Sequence, residues 1–455
     1  MPPRNVTSRI DIPEVSKEEG TLFEIGVSGL SGRTSGKITE DSANELIGIA
    51  GVRKFQEMAE NSAIAGAGLR IYKLLLEQVS YTVVPRDDSQ LAARIAEFVE
   101  GALDDMSQSK DQVLEESRTM LDYGWAWHEI VFKLRRGMKP GAIVDDAGNE
   151  IRLPRSKFSD GLIGWRKMPL RGQDTLSRWE IDPAGGIQAM WQNTQEYGEV
   201  RIPIERASLF RTSIVKNNPE GKSLLRQAWI NWRYLKRFME VEAIGVYRDL
   251  NGIPVGTAPA DVMAANATGA KKDQRKAFEA LVAGLHAGDE ASFVKPAGTD
   301  ANGNPHWNLE LLKNEGTKNF DTNAIITRYE LRIATSMLTA FLMLGQSRTG
   351  ARAVSEDHSD LLLMALNALA VRTASVFESF TFPRLVQLNG FPVELSPKYE
   401  AAKVKRAPKA KEVADMLKTL SDTGFPVDTI PILEQVLTDA DLPTKGIDDP
   451  KAEEL

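Results

Sequence analysis

The sequence predicts an α+β protein, and three observations point there. Helical periodicity fills residues 42–79 and 90–106. From 124 to 215 it gives way to alternation, prolines and turn signals. Three long helix-forming segments then follow, 222–248, 319–344 and about 355–380, the first two separated by a small mixed insert at 251–313.

Each element has its own warrant. In the first window Leu46, Ile49, Val52 and Phe55 share one helical face. The run AIAGAGLRIYKLLL (63–76) is apolar on most sides, so it is expected to be buried. VSYTVVP reads as a strand, closed by Pro85 and the charged turn 86–89. In 90–106, Leu91, Ile95, Phe98, Val99 and Leu103 mark an amphipathic helix, and another helix is expected over 111–123. YGWAWHEIVFKLRRG then alternates, with Trp125, Trp127, Glu129, Val131 and Lys133 on one side of a strand. Residues 140–215 read as short strands punctuated by Pro154, Pro169, Pro183 and Pro203, with DDAGNE and DPAGG as turns.

The segment 222–248 has no proline and one late glycine, and it reads as a long helix. Leu225, Trp229, Trp232, Leu235, Phe238 and Met239 form its apolar stripe, and Arg226, Arg233, Lys236 and Arg237 supply charge. NGIPVGTAP breaks the chain; 260–286 is helical, and 290–312 alternates loosely around TDANGNP. The loop GQSRTGARA (345–353) leads from the second long helix into the third. Ser355 suits a cap there, with Glu356 and Asp357 facing the positive end of the helix dipole. Pro383 ends or kinks that helix. A basic linker, KVKRAPKAK (403–411), precedes a helical unit at about 412–441 and the acidic stretch GIDDPKAEEL.

Composition excludes several chemistries. The 455 residues contain no cysteine, so disulfides, thiolate nucleophiles and cysteine metal sites are out. The four histidines, His128, His286, His306 and His358, are not spaced as metal ligands. No continuous apolar run reaches the ~18 residues of a membrane span, and the first residues hold no apolar signal core. A soluble, intracellular protein without a membrane partner is expected. With 56 Lys plus Arg against 63 Asp plus Glu, the net charge of −7 argues against a sticky, non-specific nucleic-acid binder. GVSGLSGRTSGK (26–37) comes near a phosphate-binding loop, but Ser31 stands where the first Gly belongs and Ile38 where Ser or Thr should hold magnesium. It reads as a flexible arm. Asp104/Asp105 and Asp145/Asp146 read as solvated helix ends or turns. His128 and Glu129 are adjacent, so on a strand they face opposite sides, and His128 reads as structural. No catalytic residue, metal ligand or cofactor is expected.

The loop between the second and third long helices is the candidate for function. Gly345, Gln346, Ser347, Arg348, Thr349, Gly350 and Arg352 combine backbone freedom with guanidinium groups able to meet phosphates. A plain surface loop with solvated arginines is the competing reading.

The order of segments resembles the portal proteins of tailed phages, especially the Mu-like branch. The resemblance rests on LDYGWAWHEIVFK (121–133), LLRQAWINWRYLKRFMEVEAIGVYRDLNGIPVG (224–256) and GQSRTGARAVSEDHSDLL (345–362), with AIAGAGLRIYKLLLEQVSYTVVP (63–85) upstream. It covers roughly residues 45–440. It implies the portal fold: after a flexible arm (1–44), a wing (45–221), a stem helix (222–250), a clip (251–313), a returning stem helix (314–344), a tunnel loop (345–354), a long wing helix (355–399), and a crown with its tail (400–455).

The resemblance further implies a ring of twelve copies at one capsid vertex, passing double-stranded DNA. Its partners would be the terminase large subunit, the major capsid protein and a head–tail adaptor. The place would be the virion, with assembly in the host cytoplasm. Residues 345–350 and Arg352 would face DNA. Arg226, Trp229, Trp232, Arg233, Lys236 and Arg237 would serve channel or subunit contacts, although the Trp229/Trp232/Phe238 stripe equally suits packing against the chain's own second helix. A head–tail adaptor or other capsid protein, and a metal-dependent nucleic-acid enzyme, are the alternatives.

Overall fold

Serine and glycine set the joints of the first helices. The window expected as one helix is two, Gly48–Asn61 and Ala63–Glu77, because Ser62 is extended and its hydroxyl accepts from the Ala65 N–H at 3.4 Å. The second helix buries one face, Ala65, Gly68, Leu69, Tyr72 and Leu76, and leaves Leu74 half exposed, so it is not buried on most sides. The helix expected over 111–123 also divides. Ser109 and Gln112 form a reciprocal capping box on Lys110–Ser117. Met120–Tyr123 then ends at Gly124, whose φ of 93° suits only glycine without strain. A Cβ at Gly221 would lie 2.3 Å from the Gly124 carbonyl oxygen, so two glycines let these backbones meet.

The computed structural model describes residues 33–139, 141–144, 150–182, 185–251, 253–287, 298, 307–312, 321–341, 343, 351–404, 418–419 and 422. The expected turns at 145–149 and 299–305, the loop at 345–350, the basic linker from 405 and nearly all of the unit at 412–441 lie outside them, as do residues 1–32 of the arm.

One unit comprises the described parts of 33–54, 98–223 and 380–393. The alternating segment here is two strands, Trp125–Glu129 and Val131–Leu134, which join different sheets. The first lies between Ala207–Arg211 and Leu170–Arg171, antiparallel to both. The second pairs with Ile163–Lys167. Leu176–Ile181, Ile187–Thr194 and Gly198–Pro203 form an antiparallel meander. Trp179 is the hub of this core, edge-on to Trp125 at 5.0 Å and tilted against Trp127 at 5.6 Å, with Leu176, Met190, Ile202 and Leu209 around them. Residues 33–38, part of the stretch expected as arm, form a small hairpin, and Ile38 is buried in this same core.

The other unit comprises the described parts of 55–97, 224–379 and 394 onward. Tyr81–Val84 pairs antiparallel with Lys398–Ala401, and Tyr81 stacks on Tyr399 at 5.2 Å. In the insert, Ile253–Thr257 pairs with Asn308–Leu312 and helix Ala270–Ala287 lies against the strand. Gly256 permits that approach: a Cβ there would sit 2.6 Å from the Phe278 ring.

The long helices depart from their expected bounds. The first is Trp229–Asn251, since 224–226 is a 3-10 turn. The second, Thr322–Ser336, is capped by Asp321 and stops eight residues short of 344. The third starts at Ala351, which places Arg352 inside its first turn and Ser355 in the helix rather than at its cap. It runs to Val376, passes through a π turn at Phe377–Thr381 and continues as Phe382–Leu388. Pro383 therefore does not end the run, but the regular α-helix is interrupted just before it by the π turn, and Pro383 stands in the first turn of the segment that follows, where its missing N–H is tolerated. By length and composition alone Asp360–Leu388 could cross a membrane, which continuous apolar runs did not reveal. One face of it is in the core, with Leu366, Phe382, Leu385 and Val386 fully buried, and Arg372, Glu378 and Arg384 interrupt its apolar run.

Candidate functional site

The helix Trp229–Asn251 carries two apolar faces. On one, Trp229, Trp232 and Leu235 are at most 6 % exposed, so both tryptophans are packed inside their own chain. Arg226 and Arg233 stand over the Trp229 ring at 6.0 and 5.5 Å, and Lys236 over Trp232 at 5.7 Å, each a cation above a π face. Lys236 also pairs with Glu57 at 2.6 Å, which raises its pKa. Arg237 is exposed. On the opposite face Ile230, Tyr234, Val241 and Ile244 are 41–58 % exposed. The stripe read from sequence is thus buried only to Leu235: Phe238 and Met239 are 39 % and 51 % exposed.

Helix Thr322–Ser336 supplies a cluster that the sequence reading missed. Tyr329 stacks on Phe238 at 5.5 Å and lies 6.2 Å from Tyr234, with Arg328 and Arg332 over its ring at 5.9 and 5.7 Å. The spacing of RYELR, cations one before and three after a tyrosine, was the available signal. A second exposed apolar line runs on Ala351–Val376: Leu361, Met364 and Val371 are 49 %, 69 % and 59 % exposed.

The loop candidate is described only at its flanks. Before it, Thr322–Ser336 closes in a Schellman arrangement: the Thr339 N–H donates to Ala334 O at 2.8 Å and the Leu338 N–H to Thr335 O at 3.1 Å. Leu338 occupies the left-handed position, φ 58°, where glycine is usual. Gly345 to Gly350, Arg348 among them, lie outside the described residues. Beyond them, the backbone of Arg352 is helical.

The acid–base groups of the sheet-bearing unit are structural. His128 is fully buried, its ring edge-on to Phe210 at 5.3 Å. Its Nδ1–H donates to Met168 O at 2.8 Å, and burial lowers its pKa against that bond and Glu116, so it is neutral at pH 7. Glu129 binds Arg171 instead. Asp105, expected at a solvated helix end, is buried and paired with buried Lys133 at 3.0 Å. Burial raises its pKa, but the Lys157 N–H, the Ser156 hydroxyl and the Lys133 ammonium outweigh that and hold it below the ordinary value. Trp179 Nε1 donates to Glu220 at 2.8 Å; burial nonetheless pushes that carboxyl up to about 7. Among the described residues no group of three or more His, Asp or Glu is placed to hold a metal ion.

A family model, the portal protein of Mu bacteriophage, matches residues 52–435. Comparison with curated proteins gave no match. Among solved structures, a chain from the neck of an empty GTA particle, computed with C6 symmetry, is similar at 10% identity and a TM-score of 0.47, over 91% of this chain and 96% of that one. A chain from the neck of a native GTA particle, computed with C12 symmetry, is similar at 10% identity and a TM-score of 0.49, over 87% and 94%.

Proposed function

Because this chain belongs to the family of the portal protein of Mu bacteriophage, and so is a phage portal protein, we propose that its copies close into a ring of twelve around a channel for double-stranded DNA. The ring sits at one vertex of the capsid among the major capsid protein. It docks the terminase large subunit during packaging and a head–tail adaptor afterwards, and it assembles in the host cytoplasm. The family's role is structural, and the chain's contribution is shape, contact and charge; the motor partner hydrolyses ATP.

The match over 52–435 carries the reading. The exposed stripes support it. A closed ring of identical chains needs a heterologous contact, made of two different patches on each copy. Ile230/Tyr234/Val241/Ile244 and Leu361/Met364/Val371 are two such patches, exposed on the single chain. In this reading 222–250 and 314–344 are stem, 251–313 is clip, 345–354 is tunnel loop, and Arg348 and Arg352 line the constriction. Sliding DNA calls for few phosphate contacts, since each one multiplies affinity and salt dependence; two arginines per copy suit that.

The test is the mass of the purified protein in solution, with class averages by negative stain. A ring of about twelve copies with a central hole is expected, twelve being the order that the resemblance implies. A stable monomer in the presence of capsid and terminase partners would refute the ring. Arg348→Ala with Arg352→Ala is expected to lower packaged DNA length or retention; unchanged packaging would remove both from the channel lining.

A further inference from the structure

The sheet-bearing unit has a second feature that the portal reading does not use. A cavity of about 390 Å³ opens to solvent where the turn after helix Gln90–Asp104 meets the segment 154–157 and strand Ile163–Lys167. Its lining holds four cations, Lys133, Arg155, Lys157 and Arg166, against one carboxylate, Asp105. Those charges are not equivalent.

The floor is already neutral. Lys133 Nζ gives its donors to the Asp105 carboxylate at 3.0 Å, to Asp105 O and to Arg155 O at 3.0 Å. The Asp105 carboxylate is filled by Ser156 Oγ at 2.6 Å and the Lys157 N–H at 2.7 Å. This pair is fixed in place and has nothing left to offer a ligand.

The rim is different. Lys157 Nζ donates to Asp104 O at 2.7 Å and keeps its charge at the surface. The guanidinium groups of Arg155 and Arg166 are exposed, and neither has a hydrogen-bond or ionic partner among the described residues. Between them the wall is apolar: Met106, Pro154, and Met138, which is 59 % exposed. Exposed guanidinium groups bind carboxylate or phosphate in bidentate fashion. The concavity and the methionines decide between those. Duplex DNA presents a charge about every 1.7 Å along a wide rod, and its backbone has no use for an apolar hollow. A peptide bearing carboxylates beside an apolar side chain fills both halves of this lining, and exposed methionine adapts to varied side chains.

We infer that this cavity docks an acidic peptide segment of another protein, its carboxylates on Arg155 and Arg166 and its apolar side chain against Met106, Met138 and Pro154. The inference does not depend on ring formation or on DNA passage, so it can fail without the portal reading failing.

The test uses the purified full chain and a fluorescently labelled eight-residue peptide alternating Glu and Leu. A Gln-for-Glu version and a Gly-for-Leu version serve as controls, with a labelled 20-base-pair duplex beside them. The Glu–Leu peptide is expected to bind and the Gln version not to. Arg155→Ala with Arg166→Ala weakens the peptide at least about tenfold, equivalent to ~1.4 kcal/mol, while thermal unfolding and duplex binding stay as in the wild type. Met138→Ser weakens the Glu–Leu peptide more than the Glu–Gly one. Absence of peptide binding, or equal affinity in the double variant, overturns the inference. Loss of duplex rather than peptide binding makes the cavity a phosphate site and overturns it as well.

Discussion

Glu220→Gln isolates a single carboxyl whose ionisation opposes the native state at neutral pH. The side chain accepts from Trp179 Nε1 at 2.8 Å, at the edge of the tryptophan core, and its pKa rises from 4.5 to about 7 because burial penalises the charged form more than the indole bond favours it. The sign follows from proton counting. Between pH 4.5 and about 7 the unfolded chain has lost this proton and the folded chain keeps it, so stability falls as pH rises through that window and is level above it. At ~1.36 kcal/mol per pKa unit, a shift of about 2.5 units gives at most ~3 kcal/mol. Glutamine keeps the acceptor oxygen and cannot ionise. Urea denaturation of wild type and Glu220→Gln at pH 5 and pH 8 reads the effect. An advantage for the glutamine variant below ~1 kcal/mol is expected at pH 5, growing to ~3 kcal/mol at pH 8. An advantage of the same size at both pH values would refute the reasoning, since titration would then have no part in it.

Other perturbations separate packing from assembly. Leu338→Gly relieves a left-handed leucine and should raise stability by up to ~1 kcal/mol, whereas Leu338→Val should lower it, both read as urea midpoints. Asp105→Ala strands the buried Lys133 ammonium and should cost ~3–5 kcal/mol; pairing it with Lys133→Met should recover most of that in a double-mutant cycle. Trp232→Ala, at a site 6 % exposed, should cost ~3–5 kcal/mol of subunit stability. Val241→Asp, at a site 58 % exposed, should leave subunit unfolding within ~0.5 kcal/mol of wild type and abolish the ring mass in solution.

Local rules carried the sequence reading where neighbours in sequence decide the structure. Periodicity located the helix Gln90–Asp104 and the strand Tyr81–Val84 because their apolar faces are set by spacing alone. Interruptions were harder. Ser62 breaks a continuous apolar window by capping the next helix, and Thr339 ends another by folding back on Ala334, each a hydrogen bond that competes with an intrahelical one at little cost. The strand through Trp125 and Lys133 divides because each half finds a different partner far along the chain, Ala207–Arg211 for one and Ile163–Lys167 for the other, and spacing does not encode that choice. The burial of Asp105 escapes the sequence for the same reason. Its partners Lys133, Ser156 and Lys157 come from 28 to 52 residues away.

The stem candidates show the limit most clearly. A hydrophobic stripe says that a face wants cover and not what covers it. Trp229, Trp232 and Leu235 are covered by their own chain, one of the two kinds of cover that the stripe suits. The face opposite, Ile230, Tyr234, Val241 and Ile244, drew no attention because charged residues are interleaved with it in sequence: Arg233 and Arg237 there break the apolar count without removing the stripe. In the proposed ring, a helix apolar on two sides and covered by its own chain on one keeps its second face for a neighbour. The proposed ring contact is therefore to be tested first at the exposed residues Ile230, Tyr234, Val241 and Ile244 rather than at the buried tryptophans.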